Sequence, residues 1–562
     1  MKNLKKILSL LMAIAMVVGM LAGCGGSDDK EPAQNQDTPG DTTPIDITAP
    51  YEETVTLTSF FEISAPILNF FDPSQLEEYK MIQDMKAATN VEIDYLWYAA
   101  DTAEDAETKK STAIATGDIP DFMVVSDVQL ALLAKTDLIN KDLQGIWDTY
   151  ASETVKEITT AEGNAPLESA TFDGKLIAIP LVDSSIDAST LMWIRQDWLD
   201  NLGLERPTTM EELYNVMKAF SENDPDGDSA DDTIGIAFHK NFLSAGLSDG
   251  VGIFNGFGAY PTMWLEDSNG GLTYGAIQPE VKDALAYLAK MYQEGLIQED
   301  FSAKDDTGAI EVIAGDNAGV QFGALWNAIW PLNMSADPNA NWVACPIAGV
   351  DGSGTPGFSA RITGYVVINS ECEHPEAVLK MLNFWAWAIH DSDEETYQSY
   401  LVDYDGSGSM QIPQHHFMLK TWSPTRNLDA HVHICQAIEN GMDPSYLNAE
   451  EKAAYWDGIV AYTEGDMSES GGWKTFGPDG SGCAALKVYY DNEQYLINKF
   501  TGAPTETMAK KMTIVEDKVY EYYTKVIMGV ESLDNFDAFV EEVNNLGLAD
   551  ITTEVNEWYA SK

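Results

Sequence analysis

Hydrophobic and polar positions alternate along Thr54–Phe61. Val55, Leu57, Ser59 and Phe61 fall on one face and Thr54, Thr56, Thr58 and Phe60 on the other, which predicts a strand. From Ser74 the spacing changes, and Leu76, Tyr79, Ile82 and Met85 recur at helical intervals. A second alternating run follows at Val91, Ile93, Tyr95 and Trp97. A helical segment over 108–116 then stops at Gly117, and Phe122–Val125 is a short apolar strand. Strand, helix, strand, helix, strand argues an α/β lobe on a largely parallel sheet. The pattern restarts at Leu191–Ile194, with Thr208 and Glu211 spaced as a capping box at the head of the next helix. Val281, Leu285, Leu288, Met291 and Tyr292 form an apolar stripe that Gly295 ends. Gln321–Phe322 and Gly364–Ile368 read as strands, Pro375 starts a helix over 377–387, and Thr505–Trp558 is mostly amphipathic helix. Two α/β lobes with helical additions are expected. Ligands in open α/β sheets sit beyond the carboxyl ends of strands, and two facing lobes make a cleft there.

The first residues read as an address rather than as structure. Lys2, Lys5 and Lys6 precede the apolar run Ile7–Met20, which is too short for an ordinary membrane span and ends in Leu21-Ala22-Gly23-Cys24. That tetrapeptide resembles the bacterial lipobox, so residues 1–23 are expected to be a lipoprotein signal peptide and Cys24 the acylated new N-terminus. Residues 24–52 are then a flexible tether, polar and rich in Gly, Ser, Asp, Thr and Pro. Two acyl chains acting together hold a protein firmly at a bilayer. No later apolar run is long enough to span one. The chain is placed outside the cell, anchored at the outer face of the membrane.

Charge narrows the partners. With 32 Lys+Arg against 90 Asp+Glu, the 562-residue chain carries a formal net charge of −58. No basic stripe is available to release counterions from phosphates, so nucleic acid is excluded as a partner. The same balance disfavours polyanionic ligands such as uronate polymers. Apart from Cys24, the cysteines are Cys345, Cys372, Cys435 and Cys483, unclustered and without a C-x-x-C pair. That is no disulfide scaffold. One or two bridges or buried free thiols both remain open.

Several segments resemble a known family. Ala115-Thr116-Gly117-Asp118-Ile119-Pro120-Asp121 is similar to the SGD-hydrophobic-PD segment of family 1 extracellular solute-binding proteins, and Phe172–Pro180 to their DGK-apolar-ALP segment. Trp193–Leu199, Leu202-Gly203-Leu204, Pro207–Leu213, Gly295-Leu296-Ile297 and Thr524–Gly529 resemble the large LplA-type lipoproteins of that family. The matching pieces span about residues 55–555 in the right order. The resemblance implies an α/β, two-lobed periplasmic-binding-protein-like fold of type II with several hinge crossovers. It also implies delivery of a sugar or oligosaccharide to the permease subunits of an ABC importer, the protein acting as a monomer. One lobe is expected to take 53–187 with 362–420, and the other 188–361 with 421–562.

A sugar offers an apolar C–H face and a rim of hydroxyls, so rings and polar groups together recognise it. Trp97 and Tyr98 at a strand end, Trp264, Trp326, Trp330 and Trp422 are the candidate rings. Trp326 sits where maltodextrin-binding members of the superfamily place a stacking tryptophan. Trp193 and Trp198 read as structural. Arg361, Arg195 and Arg426 stand out because cations are scarce; each could hold sugar hydroxyls or serve a structural ion pair. In Asp224-Pro225-Asp226-Gly227-Asp228-Ser229-Ala230-Asp231-Asp232, the carboxylates of Asp224, Asp226, Asp228 and Asp232 with the Ala230 carbonyl follow the spacing of a Ca²⁺ loop. Ser229 and Gly235 depart from the EF-hand pattern. Similar loops are structural calcium sites in the family. Asp403–Gly408 is a shorter echo.

Enzyme signatures fail. Gly246-Leu247-Ser248-Asp249-Gly250 matches G-x-S-x-G but reads as a loop, since a nucleophile elbow needs a strand before it and a helix after. His431, His433 and Cys435 are close in sequence, yet i and i+2 diverge on a helix and make a poor zinc set. A binding protein, not an enzyme, is expected. The rivals are a tethered carbohydrate-active hydrolase with two facing acids, or the same fold binding a peptide or a signalling molecule.

Overall fold

The computed structural model describes residues 47–63, 73–100, 104–230, 232–244, 246–337, 339–402 and 417–561. The expected signal peptide, Cys24, most of the expected tether and the segment Asp403–Gly408 lie outside the described residues.

Val55–Ile63 runs parallel to Val91–Ala100. The helix Lys80–Thr89 joins them and buries Met81, Ile82 and Met85. A parallel pair requires such a crossover. Beside this pair lies a three-stranded sheet in the order Phe122–Val125, Ile362–Ile368, Ile179–Val182. Both of its pairings are antiparallel. The Ser59 hydroxyl donates to the Phe122 carbonyl at 2.8 Å and ties the two sheets together. The expected largely parallel sheet is therefore corrected to a mixed one. Ile362–Ile368 enters from the other lobe rather than from a helix of its own, so nothing forces it parallel to its neighbours.

The second lobe is built on the strands Trp342–Cys345, Leu191–Arg195, Ala318–Gly323 and Ile234–Ile236, in that order across the sheet. Only Ala318–Gly323 and Ile234–Ile236 are parallel. The helix Met210–Glu222 packs its stripe of Leu213, Val216, Met217 and Phe220 inward. Its capping box lies one residue later than the spacing predicts. Thr209, extended at φ −111°, accepts from the Glu212 N–H at 3.2 Å, and the Glu212 carboxylate accepts from the backbone N–H groups of Thr208 and Thr209. Those bonds pull the Glu212 carboxyl down to about 2.

Burial divides accordingly. Phe61, Phe122, Val366 and Trp385 belong to one core. Trp198, Phe220, Phe322 and Tyr523 belong to another, flanked by a third around Trp193, Trp342 and Tyr489. The long helix Met508–Ile527 contributes Val515, Val519 and Tyr523 to the second core. At the start of the described chain, the Lys380 ammonium donates to the carbonyls of Ile47 and Ala49 at 3.0 and 2.8 Å, and the Tyr51 hydroxyl donates to Glu376 at 2.7 Å. Among the described residues no helix is long and apolar enough to cross a membrane. All four cysteines after Cys24 are free thiols, with Cys345 and Cys483 buried.

Candidate functional site

Among the described residues the chain passes between the first core and the others through 183–190, 357–361 and 419–427. These crossovers bond to one another. Asp183 N–H donates to the Arg361 carbonyl at 3.0 Å, Arg361 N–H to Ser185 Oγ at 2.9 Å, and Trp422 N–H to the Val182 carbonyl at 2.9 Å. Ser184 Oγ donates to the Pro424 carbonyl at 2.5 Å, and Asn427 Nδ2 to Asp187 Oδ2 at 2.6 Å. Burial pushes the Asp187 carboxyl up to about 7. Thr190 reaches Asp249, another buried acid that burial pushes up to about 6 although the N–H groups of Gly246 and Val251 hold it.

Two cavities open at these crossovers and share Ser359, Ala360 and Ile362. One, of about 390 Å³, is lined by Ala188, Asn255, Tyr260, Phe358 and Arg361 among others. The other, of about 370 Å³, lies between Ser126, Asp127 and Ser169 of the first lobe and Phe500, Thr501 and Gly502 of the second. Its walls are rich in hydroxyls: Ser126, Ser169, Ser359, Thr363 and Thr501. Sequence patterns missed these groups. Ser126 had a signal, because it directly follows the strand Phe122–Val125 at its carboxyl end and caps the next helix.

The candidate rings separate by burial. Trp326 and Trp330 follow the carboxyl end of Ala318–Gly323, are 43% and 44% exposed, and lie 6.1 Å apart with planes inclined by 19°. The loop carrying Gly246 runs between Leu243 and Val251, which both line the larger cavity. A Cβ on Gly246, whose φ is 143°, would lie 3.5 Å from the Trp326 ring. Trp97 is half-buried, stacked on Phe60 at 4.6 Å, with the Lys109 ammonium 5.2 Å from its ring centroid. Tyr98 packs on Phe61 and Tyr95. Two expectations are corrected by packing. Trp264 is 4% exposed, packed on Tyr274 and Phe500, and Trp422 sits between Trp385 and the Arg426 guanidinium; neither leaves a ring face open.

The arginines are spoken for. Arg195 is fully buried, bonded to Asp197 and Asp316, and stacked between Trp198 and Trp342. Arg426 pairs with Glu450. Arg361 reaches the cavity but also pairs with Asp183 at 3.4 Å.

In the acidic loop, ligand oxygens of Asp224, Asp226 and Asp228 all lie within 4.8 Å of one another. Burial first, then the neighbouring carboxylates, raises the Asp226 carboxyl. Ser229 adopts φ +65° in place of the glycine such a loop prefers. Ser229 N–H donates to Asp224 and Ala230 N–H to Asp228. Asp232 stands outside the carboxylate group, and its carbonyl accepts from Asn317 at 3.3 Å. Three carboxylates that close fit a hard divalent cation completed by water; the fourth expected carboxylate is not among them.

A helix, Val251–Gly256, does follow the G-x-S-x-G segment, contrary to the sequence reading. Among the described residues no strand runs directly into the segment, since the preceding strand ends at Ile236, and Ser248 donates its buried hydroxyl to Gln321 at 3.1 Å. The nearby His239 engages the Leu247 carbonyl and the Asn241 N–H with its two ring nitrogens. His431 faces the Phe476 carbonyl and His433 faces Glu451, so the two do not share an ion site.

A family model described as "Bacterial extracellular solute-binding protein" matches residues 73–386. The chain is 28% identical over 385 residues to the polygalacturonan/rhamnogalacturonan-binding protein YtcQ of Bacillus subtilis, covering 66% of this chain and 73% of that one. It is 26% identical to lipoprotein LipO of the same organism (63% and 65% covered). Against the fructooligosaccharide ABC transporter substrate-binding protein FusA of Streptococcus pneumoniae it is 27% identical (54% of each chain). The chain thus spans nearly three quarters of the first relative and less than two thirds of the other two. Among solved structures, a solute-binding protein from Bifidobacterium longum infantis, titled as HMO-binding, superposes with a TM-score of 0.63 at 18% identity over 90% of this chain and 98% of that one. An EF-hand mutant of FusA superposes with 0.56 at 21% identity over 90% and 99%. These likenesses establish the two-lobed periplasmic-binding-protein-like fold, and the chain belongs to the bacterial extracellular solute-binding protein family.

Proposed function

We propose that the chain captures a sugar or short oligosaccharide in the cleft between its lobes and delivers it unchanged to the permease of an ABC importer. The carrying observation is the exposed, nearly parallel pair Trp326 and Trp330 at a strand's carboxyl end, with Trp326 against the Gly246 loop whose ends Leu243 and Val251 line the larger cavity. Indole faces suit the C–H face of a pyranose or furanose, and serine and threonine hydroxyls suit its rim. The bonded crossovers 183–190, 357–361 and 419–427 are the hinge, dividing the lobes near 187, 361 and 420. Ligand shifts the population to the closed form that the permease reads. The names of YtcQ and FusA support a glycan as cargo. Cys24 is the lipid-modified anchor, and residues 24–52 hold the protein at the outer face of the membrane. Asp224, Asp226 and Asp228 hold a structural Ca²⁺, a reading supported by their convergence and by the EF-hand named for FusA.

The test is a calorimetric titration with mono- and oligosaccharides, with peptides as controls, followed by recovery of the ligand. A saturable heat with one glycan class, and that glycan recovered intact, is the expected result. Cleaved glycan would mean a hydrolase, and binding of peptides alone would move the fold to a different cargo.

A further inference from the structure

We propose that the buried amides of Gln321 and Asn327 are positioning residues that hold Trp326 and Trp330 in their nearly parallel arrangement; the inference rests on the reading of these rings as a sugar platform. Beside the turn Leu325–Ala328 that carries Trp326, the side chains of Ser248, Asp249, Gln321 and Asn327 are completely buried. They form one chain of hydrogen bonds. Ser248 donates its N–H and its hydroxyl to Gln321 Oε1, both at 3.1 Å. Gln321 Nε2 donates to Asn327 Oδ1 at 2.9 Å, and Asn327 Nδ2 to the Gly246 carbonyl at 2.7 Å. Gly246 N–H donates in turn to Asp249 Oδ2 at 2.8 Å. A backbone N–H can only donate and a carbonyl can only accept, so the two ends fix the direction of both amides. Neither can flip without setting donor against donor or acceptor against acceptor.

This chain of bonds ties the loop 246–249 to the strand end from which the rings project. The Gly246 carbonyl also accepts from the Ala324 N–H at 2.9 Å, and Leu247 bridges to Gly323. A Cβ on Gly323 would lie 2.6 Å from Asn327 Oδ1 and 2.9 Å from the Gly246 carbonyl oxygen, so this approach needs a residue without a side chain. Trp326 rests against the loop thus held, its ring 3.5 Å from where a Gly246 Cβ would stand. Trp330 follows through its own N–H, which donates to the Trp326 carbonyl at 3.2 Å. An exposed indole with nothing fixed beside it exchanges among rotamers. A buried network with every member satisfied is rigid and specifies one geometry. An apolar pair of the same volume would serve stability as well, so the two amides are assigned to position.

The experiment reads the rings of the full chain before any ligand is added. Two indoles 6.1 Å apart couple their transitions, and the far-UV circular dichroism of the native chain minus that of Trp330→Phe isolates their couplet. Asn327→Asp keeps the shape of the amide but sets a carboxylate against the Gly246 carbonyl; protonation restores a hydroxyl that donates there. The variant is expected to lose about half or more of the couplet at about pH 7.5 and to regain it at about pH 5, where a buried carboxyl is neutral. The native couplet is expected to stay level. Asp249 and His239, the titratable groups bonded to the loop, are present in both chains, so the native profile carries their contribution. Asn327→Ala, which keeps the Ala324–Gly246 bond, is expected to lose the couplet at both pH values and decides the matter if the Asp variant does not fold. An unchanged couplet in either folded variant, or a loss in Asn327→Asp that acid does not reverse, would overturn the inference. Titrated with the glycan that the native chain binds, Asn327→Asp is expected to be weaker than native by about tenfold at neutral pH and to approach native at about pH 5. A lost couplet with unchanged affinity would keep the positioning and remove these rings from the sugar site. Silence from every glycan would remove the glycan reading, while the couplet alone still decides the positioning.

Discussion

Two tryptophan groups share one sheet and do opposite things. Trp193, Trp198 and Trp342 are completely buried around the strands Leu191–Arg195 and Trp342–Cys345, with Arg195 laid against Trp198 and Trp342. On the neighbouring strand Gln321 pairs with Trp193, and a few residues on, past the carboxyl end, Trp326 and Trp330 turn their rings to solvent. The first group spends its faces on the protein and fixes the lobe. The second is nearly half exposed, its two rings lying nearly parallel to each other.

The sharpest way to break this comparison is to attack the buried group. Trp342→Ala or Arg195→Met is expected to cost about 3–5 kcal/mol in denaturant unfolding, through a large void in one case and orphaned carboxylates in the other. A loss below about 1 kcal/mol would mean that this wall does not hold the lobe. Removal of Ca²⁺ comes next. At a hundred times Kd the ion would add about 2.7 kcal/mol, so chelation should lower the melting temperature of the native chain and leave that of Asp226→Asn unmoved. Equal melting with and without calcium would contradict the metal reading.

The crossover 183–190 gives a smaller, pH-dependent effect. Asp187 ionises near 7 when folded and near 3.8 when unfolded. Between those values the folded state holds a proton that the unfolded chain has released, so stability is fullest at low pH and falls as pH rises through the window. Asp187→Asn cannot ionise and should flatten this slope, gaining roughly 1–3 kcal/mol relative to the native chain between pH 4 and 8. Parallel pH profiles would show that Asp187 is not buried as described. Smallest of all, Thr209→Ala removes a helix cap and should cost about 1 kcal/mol.

Much of the fold was legible in the sequence because periodicity reports burial directly. The strands at Val55–Ile63 and Phe122–Val125 and the stripe of Val281–Gln293 fall where alternation and helical spacing place them. Strand direction was not legible, because Ile362–Ile368 takes its neighbours from a crossover nearly two hundred residues away from Ile179–Val182. The cap at Thr209 rather than Thr208 shows the same limit at short range: two adjacent threonines and two adjacent glutamates leave the register to backbone geometry. Within the site, the sequence singled out Trp326 and Trp330 but equally Trp264 and Trp422, since spacing says nothing of what covers a ring. Asp232 fitted the calcium spacing, yet the chain turns toward the strand Ile234–Ile236 before its carboxylate can join the other three. Apart from Ser126, which follows a strand end, the hydroxyl wall has no sequence signature, because serines and threonines carry no periodicity of their own.

The most direct test of the central claim compares the native chain with the double variant Trp326→Ala, Trp330→Ala. Calorimetric titration with the glycan that the native chain binds would be paired with thermal unfolding of both. The account predicts an affinity loss of about tenfold to a hundredfold, or about 1.4–2.7 kcal/mol, with unfolding changed by no more than about 0.5 kcal/mol. Unchanged affinity in a folded double variant would contradict it and place recognition elsewhere in the cleft.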